Sequence, residues 1–241
     1  MITKNFEITK PHIEASSKKG NEKLDIANLL YKSKKYAGAI TDYVGAYEEL
    51  GQALFIIGTI SNDEKISEEY LKDFFKPGSH NQKILSSHIT RRDLLKKHPI
   101  DDFEKIKNSK IGEDFRNPYA LDETIKKINE RIKIYSKLHK LRQTFDYSHD
   151  KEGRINKNNY SEEELDSLCY LLKVECLTSY YETELALEVQ YLKSHGYTDE
   201  IILSKIPSLP SYKKFQELSH DVNTKINRKR KDKGLKFIES F

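Results

Sequence analysis

The sequence has no Trp, a single Met at position 1 and only two cysteines among its 241 residues. No stretch approaches the roughly 18 uninterrupted apolar residues that a membrane-spanning helix needs. The first residues, MITKNF, also lack the apolar core of a secretory signal. From these absences we expect no membrane association and predict a cytoplasmic protein.

The two cysteines, Cys169 and Cys176, lie seven positions apart. On one helix this spacing separates them by roughly 10 Å of rise, which is too far for a disulfide. We therefore expect two buried free thiols in a reducing compartment. The sequence has no CxxC pair and no Cys/His cluster, so it indicates no zinc site.

Other motifs of common enzyme classes are also missing. The sequence contains no Gly-rich phosphate loop, no HExxH or GxSxG motif and no paired ExxH motifs. Their absence argues against nucleoside-triphosphate hydrolysis, zinc-dependent hydrolysis, a serine hydrolase and a ferritin-like di-iron centre. We predict no metal and no cofactor.

The charges are nearly balanced, with 42 basic residues, 38 acidic residues and a net charge of +4. Such a balance does not by itself predict nucleic-acid binding. The basic excess is local and is densest in the run NRKRKDK at residues 227 to 233. Two interpretations fit this run: a solvated helix end, where cations are favourable, or a contact with nucleic acid.

The sequence does contain strong helical periodicity. Apolar residues recur at alternating steps of four and three, the spacing of one helix face in a bundle. The clearest series is Tyr36, Ile40, Tyr43, Tyr47, Leu50, Leu54 and Ile57. Because no alternating strand pattern accompanies it, we predict an all-α bundle of about six or seven main helices.

Turn residues and caps give the predicted boundaries. After an extended lead-in over residues 1 to 12, a first helix runs to about residue 34, and a central helix covers residues 36 to 60. The capping-box sequence at Ser161 opens a long helix, which stops at His195-Gly196. Further helices are predicted at about 79–97, 122–142, 198–206 and 211–230. We assign residues 1–18 to the lead-in, 19–195 to the bundle, and 196–241 to a C-terminal extension packed on the same domain.

Two adjacent acids on the central helix, Glu48 and Glu49, form the first candidate site. Neighbouring residues point about 100° apart on a helix, so the two carboxylates cannot serve one small site as a pair. Glu49 shares a stripe with Asp42 and with Gly45, whose missing side chain leaves a groove for a backbone or a ligand. The alternative is that both acids are solvated or paired with a neighbouring helix.

Two further segments combine cations with imidazoles. His80 and Lys83, in SHNQK, are three apart and share a face at a predicted helix start. Arg142 precedes His149 by seven positions, at a helix end that runs into a polar loop. An Arg can hold a phosphate bidentately, and a His can move a proton at neutral pH, which suits phosphodiester chemistry. The pair Arg92 and His98 is a rival at similar spacing.

Taken in order, three segments resemble the signature of the abortive infection protein family of AbiV type. The segment KLDIANLLYKSKKYAGAITDYVGAYEELGQALFII resembles its Ala-rich helix that leads into an acidic "EE-Leu-Gly-Lys" element. SHNQK resembles the following "His-Lys-x-Lys" element, and LRQTFDYSHD resembles the "Arg…Tyr-Val-Asp" element. Gln52 stands where the family has Lys, Gln143 follows Arg142 where Asn is frequent, and Asp146-Tyr147 is inverted. The resemblance covers about residues 20 to 160.

The resemblance implies a helical domain of the HEPN group (higher eukaryotes and prokaryotes nucleotide-binding), which is commonly dimeric and often a metal-independent ribonuclease. It implies that Glu49, His80 and Arg142 converge, with His149 or His80 as the proton carrier. Lys83, Glu48 and Tyr147 would contact the substrate. The alternative to a site is a structural ion pair between Glu49 and Arg142.

The resemblance further implies an antiphage effector that acts on RNA or on translation, with a phage protein as its activator. Two alternatives stand beside it. The first is a non-catalytic dimeric binding module that captures a phage protein or a host translation component. The second is a structural helical protein without a site.

Overall fold

A computed structural model describes residues 2–61, 137–146 and 160–232, and this part of the chain is helical without strands. It contains six α-helices and one short 3₁₀ turn, Ile206–Ser208. The helices are α1 (Ile2–Lys32), α2 (Tyr36–Ser61), α3 (Leu138–Asp146), α4 (Glu162–Ser194), α5 (Asp199–Lys205) and α6 (Pro210–Asp232). The predicted all-α fold is confirmed. The predicted helix at 79–97 and most of that at 122–142 lie outside the described residues.

The N-terminal segment departs from the prediction. The expected extended lead-in over residues 1 to 12 is wrong, because α1 begins at Ile2 and contains Pro11. A proline inside a helix leaves the carbonyl four residues earlier, here that of Glu7, without its donor. Both residues are exposed, so water can satisfy that carbonyl. Thr9 and Ile13, on the opposite face, are fully buried and hold this turn of the helix in place.

A tight turn joins α1 and α2 into an antiparallel pair. Lys34 has a left-handed backbone, with φ of 57°. The amide of Lys35 donates to the Leu30 carbonyl at 2.9 Å, and the amide of Lys34 donates to the Tyr31 carbonyl at 3.0 Å. This is the hydrogen-bond pattern of a Schellman C-cap, with Lys34 in the position usually taken by glycine. The central helix predicted at 36–60 is confirmed as α2.

The core lies where α4 covers the α1–α2 pair. Leu24 of α1, Tyr43 of α2 and Leu172 of α4 are almost completely buried and belong to one cluster. Both cysteines are free and buried in it, as predicted. The Cys176 thiol donates to the Tyr43 carbonyl at 3.2 Å. The Cys169 thiol donates to the Tyr36 carbonyl at 3.8 Å, seven residues earlier on both helices, so α4 runs alongside α2 in the same direction.

The ends of the C-terminal helices follow their sequence signals. The Ser161 hydroxyl accepts from the Glu164 amide, and the Glu164 carboxylate accepts from the Ser161 amide, so the predicted capping box is present. Gly196, with φ of 80°, follows the end of α4. α6 then packs back on α4, where the Ser211 hydroxyl donates to Glu188 at 3.0 Å. None of the described helices is long and apolar enough to cross a membrane.

A candidate site around Arg142

The site is built where α3 lies against α2. The Nη1 of Arg142 donates to Oε2 of Glu48 at 2.9 Å, across 94 positions of sequence. Glu48 is only 5% exposed, whereas the Arg142 side chain is 22% exposed. The buried carboxylate is thus anchored in α2, and the guanidinium reaches it from the surface.

A second carboxylate holds the other edge of the same guanidinium. The Nε of Arg142 donates to Oδ2 of Asp146 at 3.2 Å, one helical turn further along α3. The other oxygen of Asp146 accepts from the Thr41 hydroxyl at 2.8 Å. Because Thr41 and Glu48 are seven residues apart on α2, they share a face, and the two contacts between the helices, Arg142 with Glu48 and Asp146 with Thr41, fix α3 antiparallel to α2.

The acid that pairs with Arg142 is Glu48 and not Glu49, which corrects the expected convergence. Glu49 points toward α1 instead, where its Oε1 lies 3.0 Å from Lys19 Nζ and 3.6 Å from Lys23 Nζ. The approximately 100° between neighbouring side chains on a helix explains the division. Glu48 faces α3, whereas Glu49 faces α1 and connects α2 to α1 outside the site.

The groove expected at Gly45 is already filled. A Cβ on Gly45 would lie 3.1 Å from Nζ and 3.3 Å from Cδ of Lys23. Gly38 likewise faces α1, since its Cβ would lie 3.2 Å from a methyl carbon of Leu30. The small residues of α2 therefore admit side chains of α1 and leave no groove there for a ligand.

The electrostatics of the site are acidic. Burial raises the pKa of the Asp42 carboxyl above its usual range; Lys23 lowers it in part, and Asp146 raises it further. Glu48 and Asp146 contact the Arg142 guanidinium, and Asp42 interacts electrostatically with Asp146 and with the Lys23 ammonium. Arg142 is the only arginine of the described site, and its contacts there use two of the five N–H donors of a guanidinium.

Four of the predicted site residues lie outside the described residues: His80, Lys83, Tyr147 and His149. The rival pair Arg92 and His98 does too. Tyr147 and His149 follow directly on the end of α3, within three positions of Asp146. Their participation in the site stays a prediction.

Sequence reasoning assigned no role to Asp146 or Thr41. The signal for Asp146 was present, because an acid four positions after an arginine on a helix faces it. Thr41 carried no such signal, since its contact depends on how α3 lies on α2. The end of the helix was also placed at about residue 142, whereas α3 continues to Asp146.

The two thiols offer no alternative reactive centre. Burial raises the pKa of Cys169 to about 12 and that of Cys176 well above its usual range. The thiolate is the reactive form, so both groups are inert at neutral pH. Within the described ranges, no group of three or more His, Cys, Asp or Glu residues is arranged to hold a metal ion.

No model of a known protein family matches the sequence, and neither a curated protein nor a solved structure is significantly similar to it. The resemblance to the AbiV-type family therefore rests on its three short sequence elements.

Proposed function

We propose that this chain is an antiphage abortive-infection effector that cleaves RNA through a HEPN-type, metal-independent site containing Arg142. One observation carries the proposal: Glu48, from the first AbiV-like element, contacts Arg142, from the third, at 2.9 Å. Two segments that resemble one family signature thus meet in space although they are far apart in sequence. Everything that the proposal says about RNA rests on the resemblance.

The chemistry assigned to the site is attack by a ribose 2′-hydroxyl on the adjacent phosphorus. Arg142, held by Glu48 and Asp146, presents its remaining donors to the scissile phosphate. His149, or His80, takes the 2′-hydroxyl proton and then returns it to the 5′-oxygen as the bond from phosphorus to that oxygen breaks. The products are a 2′,3′-cyclic phosphate and a 5′-hydroxyl end, and no metal takes part.

Homodimerisation and activation by a phage protein belong to the proposal through the resemblance alone. The small residues Gly38 and Gly45 of α2 do not support a dimer, because side chains of α1 already pack against both positions. A dimer would use another surface. Sedimentation at micromolar concentration gives a dimer under this proposal, and a monomer contradicts that part of it.

The test is to express the chain in cells and to sequence RNA ends. Wild type is expected to generate new cyclic-phosphate ends and to arrest growth, and purified protein is expected to cleave RNA in the presence of a chelator. Arg142→Ala abolishes both effects, as does the double variant His80→Ala/His149→Ala, which removes both candidate proton carriers. The control is Lys140→Ala, which removes an exposed cation from the same helix and leaves cleavage unchanged.

Arg142→Ala alone would confuse lost chemistry with lost folding, because it removes the cation beside the buried Glu48 carboxylate. The double variant Arg142→Met/Glu48→Leu removes both charges and fills the space with apolar atoms, which usually preserves stability. Under the proposal this folded variant is inactive. Cleavage by it, or by His80→Ala/His149→Ala, would overturn the assignment of the site.

The acidity of the site favours a second candidate, the non-catalytic binding module. Two carboxylates already hold Arg142, and a phosphate must compete with them. A partner protein that presents its own cation would fit this surface, and that partner is a phage protein or a host translation component. This alternative would be established by growth arrest that generates no new RNA ends and that the Arg142→Met/Glu48→Leu variant abolishes.

A further inference from the structure

The positive charge of the chain is concentrated at the end of α6. Residues 225 to 233 contain six basic residues and one acid, a net charge of +5, whereas the whole chain carries +4. All other residues together therefore carry a net charge of −1. A helix end that holds the entire basic excess creates a local field that the overall balance conceals.

The topology shows where this helix end lies. α6 begins beside the last third of α4, where Ser211 donates to Glu188. Fourteen residues later, the Lys225 ammonium lies 3.4 Å from the centroid of the Tyr170 ring, near the start of α4. The two helices are thus antiparallel. With a rise of 1.5 Å per residue, the last turns of α6 reach the level of the first turn of α4.

The turn between α1 and α2 adds further cations at the same end of the bundle. Lys34 Nζ lies 3.4 Å from Oε1 of Glu162, the first residue of α4. Lys32 and Lys35, on either side of that turn, are exposed, as is Arg228 of α6. Among the described residues, these three cations form no ion pair, so their charges are not neutralised there.

An exposed aromatic ring lies at this end as well. Tyr160 immediately precedes the capping residue of α4 and is 47% exposed. Its ring centroid lies 6.2 Å from that of Phe145, which is three residues beyond Arg142 on α3. An exposed ring supported by a second ring is a platform on which a base can stack.

Acidic residues at the start of α4 lie at the same end of the bundle and limit its positive field. Glu162 pairs with Lys34, Glu164 is used in the capping box, and Asp166 accepts from the Tyr31 hydroxyl at 3.0 Å. Glu163 is exposed and has no such role. Among the acids of this turn, it is the one whose charge no described contact offsets.

We propose that this surface, here called the basic pole (Lys32, Lys34, Lys35, Tyr160, Lys225 and Arg228), binds single-stranded RNA. The inference rests on the proposed function and extends it by naming where the substrate is held outside the cleavage site. The separate cations contact phosphates, and Tyr160 stacks on an unpaired base, which a duplex does not offer. Tyr160 and Phe145 connect the pole to the helix that carries Arg142.

The test measures binding of a fluorescent oligouridylate by anisotropy over a series of salt concentrations. The variant Lys32→Gln/Lys35→Gln/Arg228→Gln removes the three unneutralised cations. The slope of log affinity against log salt is negative, and each lost phosphate contact reduces its magnitude by about 0.7. The triple variant is therefore expected to have a slope smaller in magnitude by about 2. The matched control is Lys205→Gln/Lys213→Gln/Lys214→Gln, which removes three exposed cations at the opposite end of the bundle and leaves the slope unchanged.

Two single substitutions sharpen the test. Tyr160→Ala weakens binding by about tenfold, whereas Tyr160→Phe, which keeps the ring, binds as wild type. Glu163→Gln strengthens binding, because it removes the opposing charge. Far-UV spectra and melting temperatures of all variants establish that they are folded.

Each outcome bears on the proposal. Equal binding by the triple variant and its control would overturn it. Equal affinity of wild type for duplex DNA or for vesicles of anionic lipid would also overturn it, since the pole would then be a general polyanion surface. If RNA binds at the basic pole but is never cleaved, the pole is supported and the nuclease is refuted. If the triple variant keeps both full cleavage and unchanged binding, only the pole is refuted.

Discussion

At the scale of single residues, the contact between Arg142 and Glu48 is the most consequential one. A carboxylate that is 5% exposed is stable as a charge only when a cation or several donors compensate for its lost hydration. Arg142 provides that cation from a helix 94 positions away. The pair therefore couples the position of α3 to the interior of the bundle.

Removing one partner of this pair should be costly. Arg142→Ala is expected to lower the free energy of unfolding by roughly 2 kcal/mol, less than for a fully buried pair because the guanidinium is partly exposed. Arg142→Met/Glu48→Leu should recover most of that loss. Urea denaturation measures both, with Lys140→Ala as a control within about 0.5 kcal/mol of wild type. Equal losses in the single and double variants would contradict this account.

Asp42 gives the protein a pH dependence of a definite sign. Its pKa is raised in the folded state, so above about pH 4, the ordinary value, the folded protein holds more protons than the unfolded chain. Stability contributed by this group is therefore lost as the pH rises through that window toward the raised pKa.

Asp42→Asn removes the carboxyl whose deprotonation destabilises the folded protein. The variant should be more stable than wild type at pH 7, with the advantage shrinking as the pH falls toward 4. Urea denaturation across this range measures the difference, and Asp25→Asn, at an exposed position of α1, controls for the loss of one negative charge. A difference that does not change with pH would refute the prediction.

At the scale of helices, the close approach of α1 and α2 depends on two glycines in different ways. A Cβ on Gly20 would lie 2.7 Å from Cγ of Leu50, which is fully buried, and 3.3 Å from the Ala46 carbonyl oxygen. A Cβ on Gly45 would meet only the side chain of Lys23. The first neighbour is fixed and the second can move toward solvent.

The two glycines should therefore respond oppositely to alanine. Gly20→Ala is expected to cost roughly 2 kcal/mol through overpacking. Gly45→Ala should be neutral or should stabilise by up to about 1 kcal/mol, because alanine favours the helix. Thermal or urea unfolding of the two variants decides it, and similar costs at both positions would mean that Lys23 cannot shift.

At the scale of the molecule, α6 belongs to the same packed unit as α4. Val222 is buried, and Ser211 and Lys225 contact α4 at two separate levels. Val222→Ala should then lower the midpoint of one shared transition, by roughly 1 kcal/mol in stability. Unfolding followed by far-UV circular dichroism and by tyrosine fluorescence should coincide. A second transition sensitive only to Val222→Ala would show that residues 196–241 unfold separately.

The sequence predicted those features that depend on local chemistry. Periodicity located α2, and the Ser161 capping box and Gly196 located the ends of α4, because each is decided within a few residues. The helix through Pro11 was missed, since the burial of Thr9 and Ile13 that supports it depends on distant partners. The expectation that Glu49 pairs with Arg142 was wrong for the same reason: the structure pairs Arg142 with Glu48, and adjacent acids look alike until the faces of α1 and α3 are known.

The short turn at Lys34 has a consequence for how the chain is made. The α1–α2 pair can form as soon as Ser61 has been synthesised, whereas its covering helix begins at Glu162. About 100 residues separate the two events, which at ribosomal rates of 5–20 residues per second amounts to roughly 5–20 s. Throughout this interval, the face of α2 that Cys169 and Cys176 contact, at Tyr36 and Tyr43, is on the ribosome without α4. Nascent chains of this protein are therefore expected to recruit chaperones at that stage, and soluble yield should depend on chaperone supply more than on codon choice beyond residue 194.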